Sequence, residues 1–369
     1  MFSNRNEVNL IKRKVGGKFI YYYVFYDDEG IRRYRSTGQK TKAAAWSYVM
    51  KRRDEGLLKS IDKGSVSFGV YAKDFYDYDK CPIIQEKLKR KKKFAKSTAY
   101  GNRYLLVKHI MPYFKTIPMS AITPVKIDEW ILKLPDKGKI NNRTANLARA
   151  VMSHILDYAV SDGVIPENPC RKVERLGVEN NRIKAFTKEE MKTLIGKPED
   201  WEEPMIRTMC MIAAMTGMRA AEIIALRGAD IGEDRIEVGH SYNLHDRLKT
   251  PKNGEARVVP ITKELSQDIL FYSCGPDKFI FSYDCGEHPI SYPTFRRKFT
   301  ERRDVVGIKG KSLHSFRGFM NTELSLANIN EVVIRDMIGH KDEKMTEHYL
   351  HMESGDMKLI RDIQENLFA

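Results

Sequence analysis

Cysteine is scarce, with five residues in a chain of 369: Cys81, Cys170, Cys210, Cys274 and Cys285. None forms a Cys-x-x-Cys pair, so neither a zinc site nor a disulfide framework is expected, and the odd count fits a reducing cytoplasm. No uninterrupted apolar run approaches the roughly 20 residues that span a bilayer. The opening MFSNRNEVNLIKRK lacks the apolar core of a signal peptide, so membrane attachment is not expected either. There is no Gly-x-x-x-x-Gly-Lys-Ser/Thr loop to cradle nucleotide phosphates, and no Asp, Glu, His or Cys cluster has the spacing of a metal site. No cofactor and no metal are therefore expected. Acidic residues are outnumbered, 49 against 64 Lys and Arg, leaving a net charge of +15 and a pI near 9.4. That balance points to a polyanionic partner, because Lys and Arg gain affinity by displacing the counterions condensed on nucleic acid.

What is present is enough for two or three folded domains, since 42% of the chain is hydrophobic. The positive charge is uneven. Residues 1–63 hold 15 basic against 7 acidic side chains, residues 64–183 hold 22 against 12, and the remainder holds 27 against 30. Bulk attraction and chemistry are thus divided between regions. At the start, Asn9 to Val15, Phe19 to Tyr26 and Ile31 to Ser36 read as short strands separated by Gly16-Gly17 and Asp27-Asp28-Glu29-Gly30. A helix from Lys42 to Leu58 completes a βββα module over residues 1–63. Its Arg32, Arg33 and Arg35, beside a tyrosine-rich strand, fit a groove of DNA or simply a solvated basic surface.

Residues 64–176 read as an all-α domain. Helices are expected around Val70 to Tyr78, from an N-cap at Ser97 toward Tyr113, from Thr123-Pro124 to Leu134, and from Asn141 to Ser161. Tyr104, Leu105, Val107, His109 and Ile110 are the candidate core positions of the second of these. The block KLKRKKKFAK from Lys87 reads first as a solvated charged surface. A polar, aperiodic linker covers residues 177–184, and residues 185–369 form a further domain. That domain opens with a capping box, Thr187 with Glu190, and inserts a hairpin whose turn is Lys252-Asn253-Gly254. Its tail carries a stripe of Met357, Ile360, Ile363 and Leu367, which fits either assembly or packing within the same subunit.

In this last domain six groups recur in a telling order: Arg219, Lys252, His314, Arg317, His340 and Tyr349. Each alone is bland. Arg219 and Glu222 are three apart on one helix face, which is usually a surface ion pair; Lys252 is one of many lysines, and Tyr349 is one of 18 tyrosines. Together, the stretches TGMRAAEIIAL, LKTPKNGEARVVPI, LHSFRGFMNTEL and MIGHKDEKMTEHYLHM resemble the tyrosine site-specific recombinases of the phage and mobile-element integrase type.

The resemblance implies a multidomain fold: a small N-terminal β-sheet plus helix module, an all-α SAM-like four-helix core-binding domain, and a mainly α catalytic domain with a small β-sheet, as in topoisomerase IB. It implies that Arg219 and Arg317 bind phosphate, that Lys252 is the hairpin lysine, that His314 and His340 are the two histidines, and that Tyr349 is the nucleophile, with Glu222 supporting the site. Lys249 lies three residues before Lys252, and the hairpin offers either. Gly318 stands where many members have a second histidine, and Ala327-Asn328 replaces a more usual glycine turn. The implied partners are double-stranded DNA at core and arm-type sites, further copies of the chain in a tetramer, and an accessory excision or DNA-bending protein. Two other functions weigh against this one. A type IB topoisomerase-like enzyme would not need the N-terminal module, and a non-catalytic DNA-binding regulator would not need the six-residue set.

The residue types suit the chemistry on their own terms. A phenol with pKa near 10 costs about 4 kcal/mol to ionise at pH 7. Arginine forks beside a phosphate lower that cost and neutralise its non-bridging oxygens. The leaving 5′-oxygen needs a proton, which a lysine ammonium can supply. A covalent phosphotyrosyl intermediate conserves the bond energy, so rejoining needs no nucleotide.

Overall fold

The computed structural model describes residues 10–26, 32–55, 66–136, 140–179, 184–250, 256–339 and 354–367. Lys252, His340 and Tyr349, and the expected Lys252-Asn253-Gly254 turn, lie outside the described residues. By internal contacts the chain divides into two units, Met1–Glu179 and Asn180–Ala369. Among the described residues no helix is long and apolar enough to cross a membrane.

The first unit opens with three antiparallel strands in sequential order, β1 (Leu10–Val15), β2 (Lys18–Tyr26) and β3 (Arg32–Ser36). Gly16 and Gly17 both have positive φ, 56° and 79°, as a two-residue hairpin turn matched to strand twist requires. Strand register sets Arg13 opposite Ile20 and Val24 opposite Tyr34. The Arg13 guanidinium consequently lies over the Tyr34 ring at 4.2 Å and the Tyr22 ring at 5.5 Å. Helix α1 (Lys42–Asp54) buries Ala45 and Val49.

The helical part of this unit contains α2 (Phe68–Tyr71), α3 (Pro82–Lys89), α4 (Lys96–Leu105), α5 (Met111–Phe114), α6 (Pro124–Asp136) and α7 (Asn142–Ser161). Two expectations need correction. The helix expected from Val70 to Tyr78 is the single turn α2, and Tyr76 beyond it has a left-handed φ of 60°. Helix α4 begins after Ala95, not after Ser97, and runs into a π turn, Leu106–Ile110, where the Met111 N–H donates to the Leu106 carbonyl five residues back. Pro112 has no N–H to continue the ordinary ladder, and the wider turn shifts the register. The inward residues are therefore Leu106, Ile110 and Phe114, whereas Tyr104 and Val107, expected in the core, are 52% and 51% exposed. Helix α7 starts at Asn141, which accepts from the Thr144 N–H at 2.9 Å, and it buries Ala145, Ala148, Met152, Ile155 and Ala159. Its Asn146 amide exchanges two hydrogen bonds with the Leu176 backbone (2.8 and 2.9 Å), and Asn142 donates to the Gly177 carbonyl. The polar run leaving the helices is thus strapped to α7 as far as Gly177.

In the second unit, α8 (Lys188–Ile195) begins with the expected capping box: Thr187 Oγ1 accepts from Glu190 N, and Glu190 Oε2 accepts from Thr187 N. The axis of the core is α9 (Pro204–Thr216), apolar nearly all round and ending at Gly217 with φ of 65°. It is followed by α10 (Ala220–Ile223), β4 (Arg235–Val238), β5 (Ser241–Asn243), β6 (Arg247–Lys249), β7 (Arg257–Pro260), α11 (Lys263–Leu270), α12 (Tyr292–Val305), α13 (Ser315–Leu326), α14 (Glu331–Ile338) and α15 (Ser354–Glu365). Phe281, Phe295, Phe299, Phe316 and Phe319 fill the space around α9. Between α13 and α14, Asn328 takes the left-handed position at φ of 58°. Asparagine tolerates that region and so performs the turn without glycine.

The insert is not one hairpin. Strand β4 pairs with β7 and β5 with β6, so the described turn is Asn243 to Arg247. There the Asn243 side chain accepts from the His245 and Asp246 N–H groups. The cysteine expectation also needs correction: Cys274 and Cys285 form a disulfide with Cα atoms 5.5 Å apart, while Cys81, Cys170 and Cys210 are buried thiols. The pair closes one surface loop, a contact that no local cysteine spacing encodes. Helix α15 packs on its own unit. Ile360 and Leu367 are buried in the core around α9, the Gln364 amide donates to the Met215 and Pro260 carbonyls (2.8 and 2.9 Å), and Arg361 pairs with Asp234 at 2.9 Å.

Candidate active site

Four of the sequence-expected groups, Arg219, Glu222, His314 and Arg317, converge where α9, α10, α13 and the end of α14 meet. Gly217 turns the chain out of α9, and Arg219 follows in extended conformation as the N-cap of α10. Glu222, on the first turn of α10, is 1% exposed. Its carboxylate accepts from the Arg219 N–H at 3.0 Å and from Arg219 Nη1 at 2.8 Å. Arg219 Nη2 donates to the Gly339 carbonyl at 3.0 Å. Gly339 caps α14 with a left-handed φ of 76°, so the C-cap of α14 is tied directly to Arg219.

His314 heads α13, and Arg317 lies one turn on. The first is exposed and the second is 4% exposed, because Leu313, Phe316 and Phe319 sink this face of the helix into the core. Arg317 Nη1 donates to the Gly217 carbonyl at 3.0 Å. Burial first, and then the neighbouring Arg219, push the Arg317 pKa down to about 9. Partial burial, then Arg317 and Arg219, hold the His314 imidazole below its ordinary value, which favours the neutral form. Burial alone would raise the Glu222 carboxyl, but Arg257 and then Arg219 hold it below the ordinary carboxylate range.

Arg257 was not singled out from the sequence. It stands at the start of β7, with Nη2 and Nη1 at 2.7 and 3.3 Å from Glu222 and Nε donating to the Met337 carbonyl at 2.8 Å. A signal for it was present. Glu222 lies in the apolar run AAEIIAL, and a carboxylate buried there needs more than one cationic partner. Three guanidiniums and one carboxylate give this cluster a net charge of +2, with a neutral imidazole at its edge. Such an arrangement has the chemistry to hold an anion: the donors are fixed beforehand and partly withdrawn from water.

Comparison with known proteins gives the family. A model of the phage integrase family matches residues 184–355, and one for the phage integrase N-terminal SAM-like domain matches residues 87–134. The ICEBs1 integrase of Bacillus subtilis (strain 168) is 29% identical over 298 residues, which is 74% of this chain and 79% of that protein. A tyrosine recombinase of Pseudothermotoga lettingae is 26% identical over 245 residues, covering 64% of this chain and 80% of that one. The chain is a tyrosine recombinase of the integrase type. The recombinase shares its fold with a lambda integrase tetramer solved on a Holliday junction, at a TM-score of 0.62 and 18% identity over 93% of this chain and 98% of that one. It is accordingly a site-specific recombinase, an enzyme that breaks and rejoins DNA strands.

Proposed function

We propose that this recombinase integrates or excises a mobile element by cutting duplex DNA through a 3′-phosphotyrosyl intermediate, with Arg219, Lys252, His314, Arg317, His340 and Tyr349 as its catalytic set. The supporting observation is the cluster of Arg219, Arg257 and Arg317 around Glu222, with His314 beside it. Arg219 and Arg317 hold the scissile phosphate and stabilise the charge that builds on its non-bridging oxygens. The Tyr349 phenol oxygen attacks phosphorus, the bond to the 5′-oxygen breaks, and the leaving oxygen takes a proton from the Lys252 ammonium. Lys249 is already held by Asp246, Nζ to Oδ2 at 2.7 Å, which favours Lys252 for that role. His314, neutral at pH 7, accepts or shares the phenolic proton, and His340 donates to a phosphate oxygen. In the return step the 5′-hydroxyl of the partner strand attacks phosphorus and releases the phenol.

Residues 64–176 serve as the core-binding domain and residues 1–63 as the arm-type module, joined by the linker at 177–184 to the catalytic domain at 185–369. The basic excess of the first two, and exposed cations such as Lys12, Arg13 and Lys14 on β1, support contacts with DNA phosphates. The recombinase works in the cytoplasm as a homotetramer on two duplexes, as the lambda integrase assembly suggests, with an accessory excision or bending protein setting direction. The test is covalent capture. A nicked duplex of the DNA flanking the coding region should trap the wild-type protein, and Tyr349→Phe should abolish trapping. A Tyr349→Phe protein that still becomes attached refutes the mechanism.

A further inference from the structure

Arg257 stands at a junction that none of the proposed catalytic roles explains. Its Nη atoms reach Glu222, which holds Arg219, while its Nε reaches the carbonyl of Met337, three residues before His340. Gly339 lies against the same guanidinium: a Cβ there would sit 3.2 Å from Cζ and Nη1 of Arg257. Arg257 also follows closely on residues 251–255, which carry Lys252. One planar group therefore ties β7 to α10 and to the end of α14. A lysine, with a single donor centre, cannot reach a carboxylate bidentately and a carbonyl at once.

We propose that Arg257 is a positioning residue. It orients Arg219 through Glu222 and holds the C-terminal end of α14 at the Met337 carbonyl, without touching the phosphate. Its side chain is 13% exposed and already donates to two partners, which suits bracing better than DNA contact. The inference rests on the roles proposed above for Arg219 and Tyr349.

The test compares Arg257→Lys, Arg257→Gln and Gly339→Ala with wild type. Single-turnover covalent attachment to the nicked flanking duplex is measured alongside DNA affinity at fixed salt and thermal melting. Gly339→Ala crowds the guanidinium from outside but also strains the left-handed α14 cap, so it covers the case in which the arginine variants fail to fold only where its melting temperature stays at the wild-type value. Cleavage at saturating DNA should fall about 10- to 100-fold in every folded variant, the order expected for misplacing reacting groups by a fraction of an ångström to an ångström. DNA affinity should stay within about 2-fold of wild type, since a positioning residue contributes to the transition state and not to ground-state binding. Cleavage within about 2-fold of wild type in a folded variant would make Arg257 merely structural and overturn the inference. A rate loss matched by an equal loss of affinity would make it a DNA contact and overturn it as well. Tyr349→Phe run in parallel separates the two readings. If it still attaches, the catalytic assignment fails; if it does not attach while Arg257→Lys cleaves normally, only the positioning role fails.

Discussion

Replacing Glu222 with glutamine keeps the volume of the side chain and removes only its charge. The wild-type carboxylate takes four hydrogen bonds, from Arg219 N (3.0 Å), Arg219 Nη1 (2.8 Å), Arg257 Nη1 (3.3 Å) and Arg257 Nη2 (2.7 Å), and is 1% exposed. A glutamine amide offers one acceptor oxygen and turns its NH2 toward groups that are themselves donors. Removing one partner of a buried ion pair costs about 3–5 kcal/mol. Arg219 is partly exposed, so solvent screens its share, and the loss should sit near the lower end, about 3 kcal/mol. For a unit of this size that corresponds to a melting shift of about 6–12 °C. Calorimetry of the full chain in a buffer free of phosphate and sulfate would record it. The pH dependence adds a signature. The folded-state pKa of Glu222 lies below its ordinary 4.5, so its stabilisation is complete above that value and fades as pH falls through the folded pKa. The gap between wild type and Glu222→Gln should therefore be constant above 4.5 and close below it. A shift under about 1 kcal/mol, or a gap unaffected by acid, would refute the claim that one buried carboxylate holds this cluster together.

Three further outcomes follow from the same geometry. Because burial and neighbouring guanidiniums push the Arg317 pKa down to about 9, an oxyanion should relieve the repulsion: inorganic sulfate should raise the melting temperature of wild type by more than that of Arg317→Ala, and equal responses would count against an anion site there. The His314 pKa is lowered from 6.5, so the unfolded chain takes up that proton first; stability should decline as pH falls from 6.5 toward the folded value, His314→Asn should flatten that decline, and an unchanged slope would contradict the lowering of this pKa by its surroundings and the two arginines. Gln364→Leu should cost about 1–3 kcal/mol for each buried carbonyl it strands, at Met215 and at Pro260, and a variant as stable as wild type would show that α15 does not dock there.

The placement of Arg219 and Arg317 was legible because their positions are fixed by short-range features: a glycine bend before Arg219, and a helix that starts at His314 and carries Arg317 one turn on. Arg257 was not, since on a four-residue strand it looks like one more surface cation. Its role depends on Met337, 80 residues away in sequence. The strand pairing of the β insert was hidden for a related reason. Lys252-Asn253-Gly254 is a strong local turn signal, but pairing was decided by β4 against β7 and β5 against β6, contacts that local propensity does not rank. On α4 the apolar spacing implied a regular helix toward Tyr113, but the π turn before Pro112 shifts the register, and the buried face runs through Leu106, Ile110 and Phe114 with Tyr104 and Val107 outside it. The Cys274–Cys285 pair escaped because loop closure over 11 residues is set by the path of the chain and not by a cysteine motif.

The way the three arginines are anchored bears on how the cluster keeps a net positive charge. Arg317 donates to the Gly217 carbonyl at the end of α9, Arg219 to the Gly339 carbonyl and Arg257 to the Met337 carbonyl at the end of α14. The C-terminal end of a helix carries roughly half a negative charge. It therefore orients a guanidinium while cancelling only part of its field. Had each arginine been given its own buried carboxylate, orientation would have been as good, but the site would have been neutral and its attraction for a phosphate largely lost. A single carboxylate shared by Arg219 and Arg257, with carbonyls doing the remaining work of alignment, gives three fixed donors and keeps a net positive charge where the scissile phosphate is proposed to bind.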